Sequence, residues 1–158
     1  MFSHTFSSFL SPKNIVLDVT VKDWKEAIAY AGAIMERQGL IQATCTNSLN
    51  DSVADKGPHL VFSPGLAIAK VTPLDGALQF GLVLIRINNP INFGNQRNDP
   101  VQFVLGLSLL DDPQCVDPVF SAMMTLSNAN CLQLLTKAED NHQIIQIIKT
   151  FENQIASA

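Results

Sequence analysis

The residues able to do chemistry are few and scattered along the chain. Three histidines, His4, His59 and His142, supply its imidazoles. With an ordinary pKa of about 6.5, an imidazole is a ready nucleophile or proton carrier at neutral pH. His4 falls in a loose N-terminal stretch and His142 in the first turn of a C-terminal helix, the positions of ordinary surface residues. His59 differs, because it follows Gly57-Pro58, opens an apolar run and precedes the turn Ser63-Pro64-Gly65. A two-residue hairpin at Pro64-Gly65 pairs Ser63 with Leu66 and Phe62 with Ala67, and continuing that register sets His59 opposite Lys70. Pro-Gly favours a type II turn, which splays a two-residue hairpin, and a wider loop would shift the register. Lys70 itself ends the otherwise apolar Leu66-Ala-Ile-Ala-Lys70. It fits a catalytic amine, a phosphate-binding cation or a strand end reaching water past an apolar stem. Carboxylates gather at Asp111-Asp112 and Asp117 just after a strand, where α/β sites often lie and where turns also place acids. The cysteines, Cys45, Cys115 and Cys131, are odd in number and form no Cys-x-x-Cys pair, so they read as free thiols rather than a disulfide framework or a zinc site. No phosphate-binding glycine loop, nucleophile elbow or paired-histidine ligand motif occurs, and no metal or organic cofactor is expected. Taken alone, these residues name no reaction.

The elements that must position them follow from periodicity. The chain has 158 residues, 47% hydrophobic and 15% charged, enough for one domain over 1–158 with a sizeable core and too apolar for disorder. Its net charge of −4, with no concentration of basic residues, argues against nucleic acid as a partner. The first ten residues lack a secretory pattern, and no apolar run is long and unbroken enough to span a bilayer, so a cytoplasmic protein not embedded in a membrane is expected. Ile15 to Val19 reads as a strand. Thr20, with Asp23 three residues on, reads as the cap of a helix whose core face is Trp24, Ala27, Ile28, Ala31, Ile34 and Met35, stopped by Gly39. A short polar helix is expected from about Thr46 to Gly57. The runs His59–Phe62, Leu66–Lys70, Leu78–Ile87 and Val101–Leu110 read as strands, the last two apolar on both parities and therefore covered on both faces. Asp117-Pro118 reads as a cap and first turn of a helix through Phe120, Met123 and Met124. A helix over Cys131–Lys137 and a C-terminal helix with Ile144, Ile145, Ile147, Ile148, Phe151 and Ile155 as its buried face follow. The expected fold is α/β: a mixed β-sheet sandwiched between helices.

From Gly57 to Gly81 the string Gly-Pro-His-Leu-Val-Phe-Ser-Pro-Gly-Leu-Ala-Ile-Ala-Lys-Val-Thr-Pro-Leu-Asp-Gly-Ala-Leu-Gln-Phe-Gly resembles the signature region of the enzyme IIA domains of the bacterial phosphoenolpyruvate-dependent sugar phosphotransferase system. The similarity is greatest to the ascorbate-type branch of the mannitol/fructose class. It extends to Lys22–Ile28 and to Asn98–Phe103, and so covers nearly the whole chain in collinear order. The resemblance implies a mixed sheet flanked by helices. It also implies a relay in which a histidine of a Pro-His-Ala-Arg-Pro stretch takes a phosphoryl group from the histidine phosphocarrier protein and passes it to a cysteine of enzyme IIB. Residue by residue, that histidine falls at Lys70, its preceding proline at Ala69, the arginine at Thr72 and the next glutamate at Leu74. A second family histidine falls at about Cys115, and His59 stands where the family usually has Tyr. Scaffold residues persist at Gly57, Pro58, Pro64, Gly65, Ala67, Pro73, Gly76 and Gly81, while the polar site has gone. A lysine is a poor substitute, since at an ordinary pKa of about 10.4 roughly one in a few thousand is neutral at pH 7.

Three readings follow. In the first, the chain is a divergent enzyme IIA-family protein that has lost the usual relay and serves as a binding or regulatory module. Its partners by resemblance are the histidine phosphocarrier protein and an enzyme IIB or permease. In the second it is a working phosphocarrier that uses another acceptor such as His59, beside Lys70 as a phosphate-binding cation. In the third it is a structural partner, a homodimer for instance, that contacts protein through a residual apolar surface at Leu66, Ile68, Val71 and Leu74.

Overall fold

A computed structural model describes residues 5–43 and 57–157. The helix expected at 46–57, His4 and Cys45 lie outside the described residues. The strands are β1 (Ile15–Val19), β2 (Val61–Ser63), β3 (Leu66–Val71), β4 (Gly81–Ile91) and β5 (Val101–Ser108). The helices are α1 (Trp24–Arg37), α2 (Val116–Leu126), α3 (Ala129–Lys137) and α4 (Asn141–Ser157). One five-stranded mixed sheet runs β1-β4-β5-β3-β2. β1 is parallel to β4 and β3 to β5, while β4/β5 and β2/β3 are antiparallel.

The apolar runs on both parities are covered as their pattern requires. On one face, Ala67, Ala69, Val71, Val83, Ile85 and Val104 pack against Ala27, Ile28, Ala31, Ile34 and Met35 of α1. Gly106 permits this approach, since a Cβ there would lie 2.7 Å from Val83 Cγ2 and 3.2 Å from Met35 Cε. On the other face, Leu66, Ile68, Leu82, Leu84, Phe103, Leu105 and Leu107 meet Ala122, Leu126, Cys131, Leu135, Ile144, Ile148 and Phe151 from α2, α3 and α4. The result is the expected three-layer α/β sandwich.

Helix ends depart from expectation in detail. Asp23, not Thr20, caps α1: its carboxylate accepts from Glu26 N at 2.9 Å. The stop at Gly39 is as read, with φ +75° and paired bonds from Gly39 N to Glu36 O and from Leu40 N to Met35 O. Asp117-Pro118 is not the start of α2, which begins at Val116 behind a 3-10 turn over Pro113–Cys115, so Pro118 sits inside the first turn where no amide partner is needed. α2 also buries the opposite face from the one its large residues mark. Ser121, Ala122, Thr125 and Leu126 are inside, and Phe120 and Met124 are exposed. The cause is an N-terminal strap. Phe6, fully buried, occupies the space above the small residues, and Phe6 N donates to Ser121 Oγ at 3.3 Å. The buried carboxylate of Glu152 on α4 accepts from Ser7 N at 2.7 Å and Ser121 Oγ at 3.2 Å, fastening strap, α2 and α4 together.

The buried cation Arg86 sits on β4 among the apolar residues facing the three-helix layer. Its Nη1 donates to Leu135 O at 2.9 Å and Ala138 O at 2.7 Å, closing the carbonyl end of α3. Its other nitrogen lies 3.5 Å from the well-exposed carboxylate of Asp18. Arg86→Met should therefore lower stability in urea unfolding by about 2–3 kcal/mol, the scale of hydrogen bonds from a charged group, whereas Asp18→Asn should cost under about 1 kcal/mol. Cys131 is fully buried, and burial pushes its thiol up from 9.0 to about 12. Unfolding frees that thiol to ionise, so the unfolded chain holds fewer protons between pH 9.0 and about 12 and stability falls as pH rises through that window. The decline of unfolding free energy with pH in that range should be shallower in Cys131→Ala than in wild type.

Candidate functional site

β3 and β5 run parallel, so their C-terminal ends open on the same end of the sheet, and the register pairs Lys70 with Leu107. The chain beyond β5 stays attached there, with Leu109 N donating to Val71 O at 2.8 Å. Alternation decides which way Lys70 points. Leu66 and Ile68 face the three-helix layer and Ala67, Ala69 and Val71 face α1, so Lys70 continues the Leu66–Ile68 face. That face is covered as far as Ile68, and Lys70 lies exposed beyond it. Its side chain makes no hydrogen bond or ion pair with any described residue.

The next turn, Pro73–Asp75, is tied locally, with Thr72 Oγ1 donating to Asp75 Oδ2 at 2.9 Å and Gly76 taking a left-handed φ of 114°. It presents Leu74, matched above to the family's glutamate, fully to water at 100% exposure. At the same end of the sheet, on the Lys70 face, a groove of about 380 Å³ is lined by Leu109, Leu110, Asp112, Cys115, Val119 and Met123, with Val116 and Phe120 on its helical wall. Cys115, the position matched to the second family histidine, is a buried free thiol in the 3-10 turn that leads into α2. The fold thus brings Lys70 and Cys115 to one face at one end of the sheet. Asp112 serves the same turn, accepting from Gln114 N at 2.9 Å.

His59 does not join them through the ladder. Ser63 pairs with Leu66 as the two-residue turn requires, but a bulge then sets Val61 opposite Ala67, and His59 lies exposed in a 3-10 turn over Gly57–Leu60 rather than in a strand. That turn leans away from the end of β3. Asn95 Nδ2 donates to Pro58 O at 3.1 Å, and a Cβ on Gly57 would lie 2.9 Å from Phe93 O, both in the loop after β4 at the other end of the sheet. His142 is exposed at the start of α4, whose Asn141 Nδ2 donates to Ile15 O at 3.0 Å, beside β1 on the sheet edge remote from β3.

The apolar surface expected at Leu66, Ile68, Val71 and Leu74 needs correction. Leu66, Ile68 and Val71 are buried because β3 is an inner strand covered on both faces, and only Leu74 is free. An exposed apolar stripe is built instead by α2. Val116 at 63%, Phe120 at 50% and Met124 at 43% exposure form a stripe at i, i+4 and i+8. That spacing is visible in the chain. What hid it was the strap, which takes the opposite face of α2.

The described residues contain no group of His, Cys, Asp and Glu able to hold a metal ion. No described helix is long and apolar enough to cross a membrane.

Comparison with known proteins agrees with this architecture. Residues 8–151 match the family model described as the phosphoenolpyruvate-dependent sugar phosphotransferase system, EIIA 2. The mannitol-specific cryptic phosphotransferase enzyme IIA component of Escherichia coli K12 is 26% identical over 143 residues, covering 90% of this chain and 96% of that protein. The ascorbate-specific PTS system EIIA component of the same strain is 26% identical over 104 residues, 66% of this chain and 68% of that protein. Among solved structures, a PTS IIA protein from Streptococcus mutans superposes with a TM-score of 0.81 at 18% identity, covering 95% of this chain and 96% of that one, a likeness of fold. With the match spanning almost all of its sheet and helices, the chain belongs to the EIIA 2 family of the phosphoenolpyruvate-dependent sugar phosphotransferase system.

Proposed function

We propose that this protein is an EIIA 2-family component that does not carry phosphate at the family's standard position and acts as a binding or regulatory module on components of a sugar phosphotransferase system. The observation that carries this reading is the state of residue 70. The position matched to the acceptor histidine holds a lysine, exposed at the end of β3 rather than enclosed in an apolar pocket. Enclosure is the usual device that makes a lysine amine nucleophilic at neutral pH. Of the described histidines, His59 leans toward the loop after β4 at the other end of the sheet and His142 lies at the β1 edge remote from β3, so neither stands beside residue 70.

The docking half of the reading is supported by the surface beside residue 70. A groove of apolar side chains with Val116 and Phe120 open to water matches the composition of a protein-contact patch more than that of a polar catalytic pocket, and Leu74, in the turn after β3, is a separate exposed apolar side chain. The histidine phosphocarrier protein and enzyme IIB are the partners that family membership supports. A cytoplasmic location is consistent with them.

Intact-mass analysis under alkaline, phosphoramidate-preserving conditions tests the reading, after incubation with phosphoenolpyruvate, enzyme I and the histidine phosphocarrier protein. Wild type should gain no phosphoryl adduct. An adduct that vanishes in His59→Ala would contradict the proposal and make His59 a relocated acceptor. Phe120→Asp and Leu74→Asp alter exposed positions and should fold normally while weakening binding of the histidine phosphocarrier protein at least about tenfold, the scale of one contact residue at an interface centre. Unchanged binding in both variants would remove the groove as the docking face. Leu66→Asp cannot serve this purpose, because it places a charge in the core.

A further inference from the structure

We propose that Lys70 makes the site a reader of its partner's phosphorylation state: a protein bearing a phosphohistidine on its contact face is held more tightly than the same protein with a free histidine, with no transfer of the phosphoryl group. This rests on the preceding reading, that the position no longer accepts phosphate, and adds to it what the replacement does.

Three features carry the inference. First, Lys70 is an exposed cation with no ion-pair or hydrogen-bond partner among the described residues, so its charge is available to a ligand. Second, its position is constrained where its tip is not. The strand pairs residue 70 with Leu107 near the end of an unbroken parallel register from Leu66 to Val71, and alternation aims it along the groove face. The rest of the site is therefore a rigid seat with one free ammonium at its edge. Third, the other charges around the groove have the opposite sign. Asp112 lines it, and Asp111 and Asp117 are exposed on the segments that flank it.

The electrostatic consequence is specific. A phosphohistidine presents a phosphoryl dianion where a free histidine presents a nearly neutral imidazole. An ammonium is a compact point charge well suited to phosphate oxygens. A partner seated on the apolar groove brings that dianion to the end of β3, where Lys70 is a cation on the groove face. The bound complex excludes water and strengthens the pair relative to its worth on an open surface. Without the lysine, the described charges around the groove that the same dianion would meet are Asp111, Asp112 and Asp117. The phosphorylation preference thus depends on one side chain, and its sign should change when that charge is removed. A ligand that binds two states of a partner unequally necessarily shifts the balance between them, so a protein of this kind would sequester the phosphorylated form.

The test measures dissociation constants of the full chain for the histidine phosphocarrier protein, freshly phosphorylated and unphosphorylated, with intact masses taken on the same samples. Wild type should bind the phosphorylated form about five- to tenfold more tightly, the range of a single well-placed charge pair across an interface, and the ratio should shrink as salt is raised. Lys70→Arg should keep the preference. Lys70→Met, which keeps the apolar stem and removes the charge, should abolish or reverse it. Equal affinities on wild type, or a preference that survives in Lys70→Met, would overturn the inference and leave the preceding reading intact. A phosphoryl adduct on this chain would instead overturn that reading, and the inference with it. Binding of neither form would overturn both.

Discussion

The inner strands β4, β5 and β3 carry apolar side chains on both faces, and that burden determines where every other element goes. Leaving either face open would expose Leu82, Leu84, Leu105 and Leu107 on one side or Val83, Ile85 and Val104 on the other. At about 1.5–3 kcal/mol for each such side chain, neither can be left to water. α1 covers one face, held close by the absence of a side chain at Gly106. The other face is wider and takes α2, α3, α4 and the strap that begins at Phe6. The polar groups that this packing buries are paired to hold the layers together: Arg86 closes the carbonyl end of α3, and Glu152 joins the strap to α2 and α4.

The site is what remains where that cover ends. β3 is buried through Ala69, and the first residue of its groove-facing row past the helical layer is Lys70. A side chain fixed at its root by a parallel ladder and open at its tip suits a cation that must meet an incoming charge. What separates it from the family's imidazole is chemistry. An imidazole at that root is a nucleophile at cell pH, and an ammonium in water is a counter-ion. The surroundings are consistent with the second role, since the neighbouring positions matched to the family's arginine, glutamate and second histidine hold Thr72, Leu74 and Cys115. Thr72 is spent on Asp75, Leu74 projects into water, and Cys115 is buried in the turn before α2.

Much of the fold was legible in the chain because it depends on periodicity over many residues. The face of α1, its stop at Gly39, the double-sided strands and the buried row Ile144–Ile148–Phe151 all follow from spacing and glycine placement. What was not legible depends on competition between distant segments. Phe120 and Met124 look like a core face until Phe6 takes the opposite side of α2, where Ser121 and Ala122 leave room for it. The hairpin at Pro64-Gly65 begins as its turn type requires, but the bulge between Val61 and Ser63 breaks the register that would have set His59 against Lys70. Capping showed the same limit: Thr20 and Asp117 are both competent caps, and the close bond to Glu26 N and the turn at Pro113–Cys115 decided against them. At the site, the expectation for residue 70 rests on the motif around it, whereas its exposure and the groove needed the layers in place.

Phosphorus-31 NMR of the phosphorylated histidine phosphocarrier protein, titrated with this chain, tests the central claim in one experiment. The account predicts that the phosphohistidine resonance shifts as the complex forms while its integrated intensity is conserved, because the group is bound and not moved. Loss of that intensity to a new phosphoramidate resonance on this chain would contradict the account and return the protein to the working phosphocarriers.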